Sequence, residues 1–154
     1  MRFATTVILF FLFSLRSQAQ IRVPDTGDGW KEVVDSAISL VEKTDTSAYR
    51  ILIENCEEVE FALAPFSTTR PPRTIVISVK DMRTRSLNNI ACVLVHESYH
   101  LYLGKSNPSL DPNEEEYLCY LQEYSFIMKL KEIEDWLFKN TLDMLLYHKS
   151  KSKN

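Results

Sequence analysis

His96-Glu97-Ser98-Tyr99-His100 places two histidines four residues apart, with a glutamate directly after the first. On an α-helix, residues i and i+4 share a face, so both imidazoles can reach one ion. Neutral imidazole nitrogen is a good zinc ligand. Glu97 is turned about 100° around the helix from His96, which sets it beside such an ion without ligating it. A carboxylate there can accept a proton from water activated by the metal.

The preceding residues give the motif its context. Ile90-Ala91-Cys92-Val93-Leu94-Val95 is an uninterrupted apolar run, and a helix apolar on all sides is buried. Two histidines and a glutamate placed next in such a helix are costly if unpaired, and a metal ion removes that cost. The chain has only three histidines. The third, His148, stands far along the chain, and a surface or helix-capping role is expected for it.

A catalytic zinc needs a third protein ligand and one open position. Positions 103 and 106 hold Leu103 and Ser106, so the histidine of the metzincin spacing is absent. The next acids are Asp111 and the run Glu114-Glu115-Glu116. Here the sequence resembles the gluzincin metallopeptidases, in which a second helix supplies a glutamate as third zinc ligand. The resemblance runs from about Ile75 to Met128. It rests on His96, Glu97 and His100, and on Glu116-x-x-Cys119-Tyr120-x-x-Glu123, a spacing of compact zincins. It implies Glu116 as the third ligand, with Glu115 as the alternative and Glu114 left as a helix cap. Glu123 is a candidate to hold the outer nitrogen of a metal-bound histidine. Of Tyr99, Tyr102, Tyr117 and Tyr120, Tyr120 is the expected oxyanion donor.

Cys119 departs from the family pattern, which usually has alanine there. Cys92 lies one turn before His96 on the same face. If the two helices pack around the metal, Cys92 and Cys119 can meet as a disulfide, as a thiol competing for the ion, or as small packing residues. Cys56 is the third cysteine, and spacing does not choose a pair.

These residues need elements to hold them. Val33, Val34, Ala37, Ile38 and Val41 recur at helical spacing, with Asp28 as the expected cap. Tyr49 to Ile53 and Val59 to Leu63 are β-prone, though a helix ending near Cys56 also suits the first. Pro65, Pro71 and Pro72 bracket a loop with Phe66, Arg70 and Arg73 that either covers a cleft or simply connects. Thr74 to Val79 is the strongest strand. The resemblance implies that Ile75 to Val79 forms the sheet edge that pairs with an extended substrate. Ser86 is expected to cap a helix from about Leu87 to Leu103, ended by Gly104. Asp111-Pro112-Asn113-Glu114 is a helix start, and two helices follow with a break near Glu134-Asp135. Glu116, Tyr120, Glu123 and Ile127 share one face of the first. Tyr117, Leu121, Tyr124 and Met128 form an adjacent stripe expected in the core. Helix, strands, then helices is an α+β order. With the resemblance, the expected fold is zincin-like: a small sheet with an N-terminal helix, an HExxH helix and C-terminal helices.

Composition limits the remaining classes. The chain has 154 residues, 45% hydrophobic and 25% charged, which suits one domain. Three glycines leave no glycine-rich phosphate loop. Arg2, the apolar run Val7 to Phe13 and the small exit Ser17-Gln18-Ala19 read as a signal peptide over residues 1–19. Its uncharged stretch is shorter than a membrane span. A secreted or periplasmic location is therefore expected, with no stable membrane insertion after cleavage. An exposed lead-in at 20–29, a domain at 30–149 and a basic tail at 150–154 follow. Residues 20–154 carry 16 basic and 21 acidic residues, a net charge near −5, which argues against nucleic acid as a partner.

The expected protein is an exported zinc-dependent metallopeptidase. His96, His100 and Glu116 bind Zn2+, Glu97 is the general base, and the partner is a peptide or protein substrate. One alternative is a catalytically silent zinc module that binds a protein partner. The other is a hydrolase of non-peptide amides.

Overall fold

The computed structural model describes residues 20–152, so the expected signal peptide lies outside the described residues. The helices are α1 (Trp30–Thr44), α2 (Thr46–Asn55), α3 (Val79–Arg83), α4 (Leu87–Ser106), α5 (Pro112–Ile127) and α6 (Asp135–Lys151). The strands are β1 (Glu58–Ala62), β2 (Thr68–Arg70) and β3 (Thr74–Ser78). The fold is α+β, as the element order implied.

The three strands lie in the order β1-β3-β2. β3 runs parallel to β1, with Ile75 opposite Val59, and antiparallel to β2, with Ile75 opposite Thr69. β3 is therefore the central strand and not the expected edge. Its apolar residues Ile75, Val76 and Ile77 are all buried, which is what a run apolar on both faces requires. The edge beside the candidate site is β2, inside the segment read as a loop. Its exposed Thr68 and Arg70 suit an edge position.

Arg70 and Arg73 do not cover a cleft. Arg70 pairs with Glu60. Arg73 donates to the carbonyls of Glu54 and Asn55 at 2.7 and 3.3 Å and pairs with Glu57 at 2.6 Å. Both brace the sheet. Residues 20–29 are not wholly exposed either. Arg22 bridges to Glu58 beside β1, and Ile21 and Val23 on either side are buried.

Local chemistry explains several boundaries. Asp45 separates α1 from α2, and its carboxylate accepts from the N–H groups of Ser47 and Ala48 at 3.0 and 3.2 Å. That cap makes the β-prone Tyr49 to Ile53 helical. α1 starts from Gly29 at φ 80°, a left-handed geometry that glycine adopts without strain, so Asp28 is not its cap. Gly104 does not end α4, which runs on to Ser106. Asp111 caps α5 through Asn113 and Glu114. α6 begins at Asp135, near the expected break, and extends through Lys151, so the start of the expected tail is helical.

α4 is the centre of the molecule. It packs against α1, α2, the sheet and α5, and α5 packs in turn against α6. Nearly every residue from Asn89 to Ser98 is buried, in keeping with the apolar run. α5 is less regular. Leu121 and Met128 are exposed, whereas Cys119, Glu123, Phe126 and Ile127 are buried. The expected core stripe is thus displaced, because α5 lies between α4 and α6 and turns a glutamate inward. Among the described residues, no helix is long and apolar enough to cross a membrane.

Candidate metal centre

His96 and His100 lie one turn apart on α4, with their Nε2 atoms 3.2 Å apart. Their outer nitrogens are both held by carboxylates. Nδ1 of His96 is 3.0 Å from Oε2 of Glu123, and Nδ1 of His100 is 2.7 Å from Oε1 of Glu115. An ionised carboxylate only accepts, so each Nδ1 carries the hydrogen. Both Nε2 lone pairs are then left facing one another at contact distance. A proton on one Nε2 relieves that repulsion, and so would a metal ion shared by the two nitrogens, so the pair fits a metal ion.

Glu116 closes the group from α5. Its two oxygens lie 3.6 Å from the Nε2 atoms of His96 and His100. Ligand atoms around a tetrahedral ion with bonds of about 2.0–2.1 Å stand about 3.3 Å apart, near these separations. Cys119 is also at hand. His96, His100 and Cys119 form a group whose ligand atoms lie within 4.8 Å of one another, and this group can hold a metal ion. Glu116 meets the two imidazoles through different oxygens, whereas the one Sγ of Cys119 is within reach of both. Without metal, burial, with Glu116 and Glu115 nearby, holds the Cys119 thiol far above its usual pKa, and a bound ion would have to displace that proton for the thiol to ligate.

The charges agree with a cation site. Burial pulls the His96 imidazole down, but Glu116 and Glu123 outweigh it and raise its pKa to about 10. The His96 imidazole in turn holds Glu116 below the usual carboxylate range, against burial. Without metal, a proton occupies the place an ion would take. Glu97 is buried. Burial raises its pKa, and it lines a cavity of about 500 Å³ that also contains His96, His100 and Glu116.

Tyr120 lines the same cavity. Its ring meets His96 edge-on at 4.4 Å between centroids, and burial raises its phenol. Tyr99 and Tyr102 line a separate hollow with Arg50 and Gln122. Glu116, Tyr120 and Glu123 all reach the cavity, as the shared helical face implied.

His148 is not confined to the surface. It lies in the cavity wall, stacked on Tyr120 at 5.6 Å and 13°. Its Nδ1 is buried with no hydrogen-bond partner among the described residues. Thr141 is a second residue that sequence reasoning missed. Its hydroxyl donates to Oε1 of Glu123 at 2.5 Å. A signal existed for both: Leu137, Thr141, Met144 and His148 fall at helical spacing on α6. All three cysteines are buried free thiols, so the disulfide that was one option for Cys92 and Cys119 does not form, and both pack as small buried residues.

No family model, no curated protein and no solved structure matches this chain.

Proposed function

We propose that the chain is a zinc-dependent metallopeptidase of the gluzincin kind with a zincin-like fold. His96, His100 and Glu116 are the ligands and Glu97 is the general base. The observation that supports this best is the pair of Nε2 atoms 3.2 Å apart, each ring fixed through Nδ1 by a carboxylate. Two imidazoles and one carboxylate form a donor set that suits zinc and leaves a fourth position open.

A bound divalent ion supplies Lewis acidity, lowering the pKa of water towards about 7 and polarising a carbonyl oxygen. The protein groups do the rest. Glu97 accepts a proton from the attacking water and delivers it to the leaving nitrogen. Its burial raises its basicity towards that task. Tyr120 and His148 line the same cavity, which supports a role for them as donors to the oxygen that gains charge. The free edge of β2 borders the cavity and can pair with an extended peptide. The leader-like residues 1–19 support an exported setting.

Metal analysis of the purified protein, followed by digestion of a mixed peptide library, tests this reading. About one zinc per chain and cleavage by the wild type are expected. A protein that binds no zinc sinks it. Bound zinc with the library uncut favours the silent binding module.

A further inference from the structure

The cavity at the candidate metal site and a second hollow share one wall residue, Lys80. Lys80 lines both, beside Phe66 in the first and beside Leu63 and Arg83 in the second. The strip between them is the β1–β2 loop, where Leu63 is 90% exposed and Phe66 is 69% exposed. Two large apolar side chains this open, in one short loop, mark a surface that something covers.

The loop is held in place. The Ser78 hydroxyl donates to the Ala64 carbonyl at 2.6 Å, and the Ser78 N–H donates to the Ser67 hydroxyl at 2.9 Å. Ser67 donates onward to Asp81 at 2.7 Å. Leu63 and Phe66 are therefore presented outward from a pinned backbone. Lys80 and Arg83 on α3 are exposed and make no ion pair among the described residues. Asp81, between them in sequence, is engaged by Ser67. The metal side of the cavity is acidic, through Glu97, Glu116 and Glu123.

We propose that this strip selects the substrate, which is a peptide with an apolar residue and a nearby acidic residue to one side of the cleaved bond. The apolar side chain rests on Leu63 and Phe66, and the carboxylate lies between Lys80 and Arg83. The inference rests on the peptidase reading and names its substrate class. Phe66 and Lys80 line the same cavity as Thr68 and Thr69 of the β2 edge, which favours an extended peptide over a lipid surface. Two apolar side chains and two cations are also too few for lasting attachment to a membrane.

The test uses zinc-loaded protein carrying Glu97→Gln, and fluorescent peptides that share one apolar pattern and differ only in Glu, Gln or Lys at the flanking position. The Glu peptide is expected to bind about fivefold tighter than the Lys peptide by anisotropy, with the difference fading at high salt. Adding K80E and R83E together should reverse the order, and adding L63S and F66S should weaken all three peptides. These side chains are exposed, and unchanged thermal melting checks that the variants fold. Equal binding of the Glu and Lys peptides overturns the inference, as does an order unaffected by the charge reversal. So does charge-dependent binding to anionic phosphatidylglycerol vesicles without any peptide preference. If the wild type cuts the Glu and Lys peptides equally well, the peptidase reading stands and this inference alone falls. If none of the peptides is bound or cut, both fall.

Discussion

Glu123 joins His96 to Thr141. One oxygen lies 3.0 Å from Nδ1 of His96 and the other accepts from the Thr141 hydroxyl at 2.5 Å. Three helices, α4, α5 and α6, thereby meet in one buried relay that ends at the candidate metal ligand. Thr141→Val keeps the shape but leaves a buried carboxylate oxygen without its donor. It should weaken zinc binding by about tenfold, the lower end for a partner of a ligating histidine, and Thr141→Ser should restore it. Competition against a coloured chelator measures this, and equal affinity in wild type and Val variant would remove Thr141 from the site.

Glu97 lines the cavity but is not among the converging ligand atoms. Glu97→Gln should keep its zinc and lose at least about 100-fold in peptide hydrolysis, the scale of a general base. Loss of zinc along with activity would instead make Glu97 a ligand or a structural support.

The third ligand can be separated from its neighbours by chelator-driven zinc release. Glu116→Gln should release zinc fastest. Glu115→Gln, which disturbs only the outer nitrogen of His100, should have an effect of about tenfold. Cys119→Ala should differ little from wild type if Glu116 supplies the third ligand. If Cys119→Ala shows the largest loss, the third ligand is the thiol.

Loading zinc should release a proton. In the metal-free protein His96 is raised to about 10, above its ordinary 6.5. Its charged form therefore contributes stability below about pH 6.5, and that contribution is lost as pH rises through about 10. An ion at Nε2 must displace the proton. Calorimetry at pH 8 in buffers of different ionisation heat should show about one proton released per chain. No release at that pH would mean that His96 is neutral without metal.

Away from the site, Asp45 is the buried carboxylate most exposed to a stability test. Burial raises its pKa, but Lys129, Ser47 and the Ala48 N–H outweigh this and bring it below the ordinary 3.8. A lowered pKa means stability that is present above pH 3.8 and lost as pH falls through the folded value. Asp45→Ala removes both the α2 cap and the partner of Lys129. It should cost about 2–3 kcal/mol at pH 7 and less in acid, measured by urea unfolding.

Much of the site was legible locally. The i, i+4 pair of His96 and His100 is a property of any helix, and the run from Ile90 to Val95 announced that this helix is buried. The start of α5 at Asp111 and Pro112 is likewise local capping chemistry. The spacing of Glu116, Tyr120 and Glu123 put them on one face, and all three line the cavity. α2 was harder, because its β-prone residues are overruled by a single cap at Asp45.

What only the tertiary structure decided involves contacts between distant segments. β3 became the central strand because β1 and β2 flank it, a pairing that its own β-branched residues do not encode. Arg70 and Arg73 were drawn to the sheet by Glu60 and Glu57 instead of to a cleft. His148 and Thr141 reached the candidate site because α6 packs on α5, which brings Thr141 to Glu123 and His148 to Tyr120 from 18 and 28 positions along the chain. Helical spacing is set by backbone geometry and can be read along the chain. The choice of which helix face meets which neighbour depends on how all the buried surfaces fit at once, and that exists only in the folded protein.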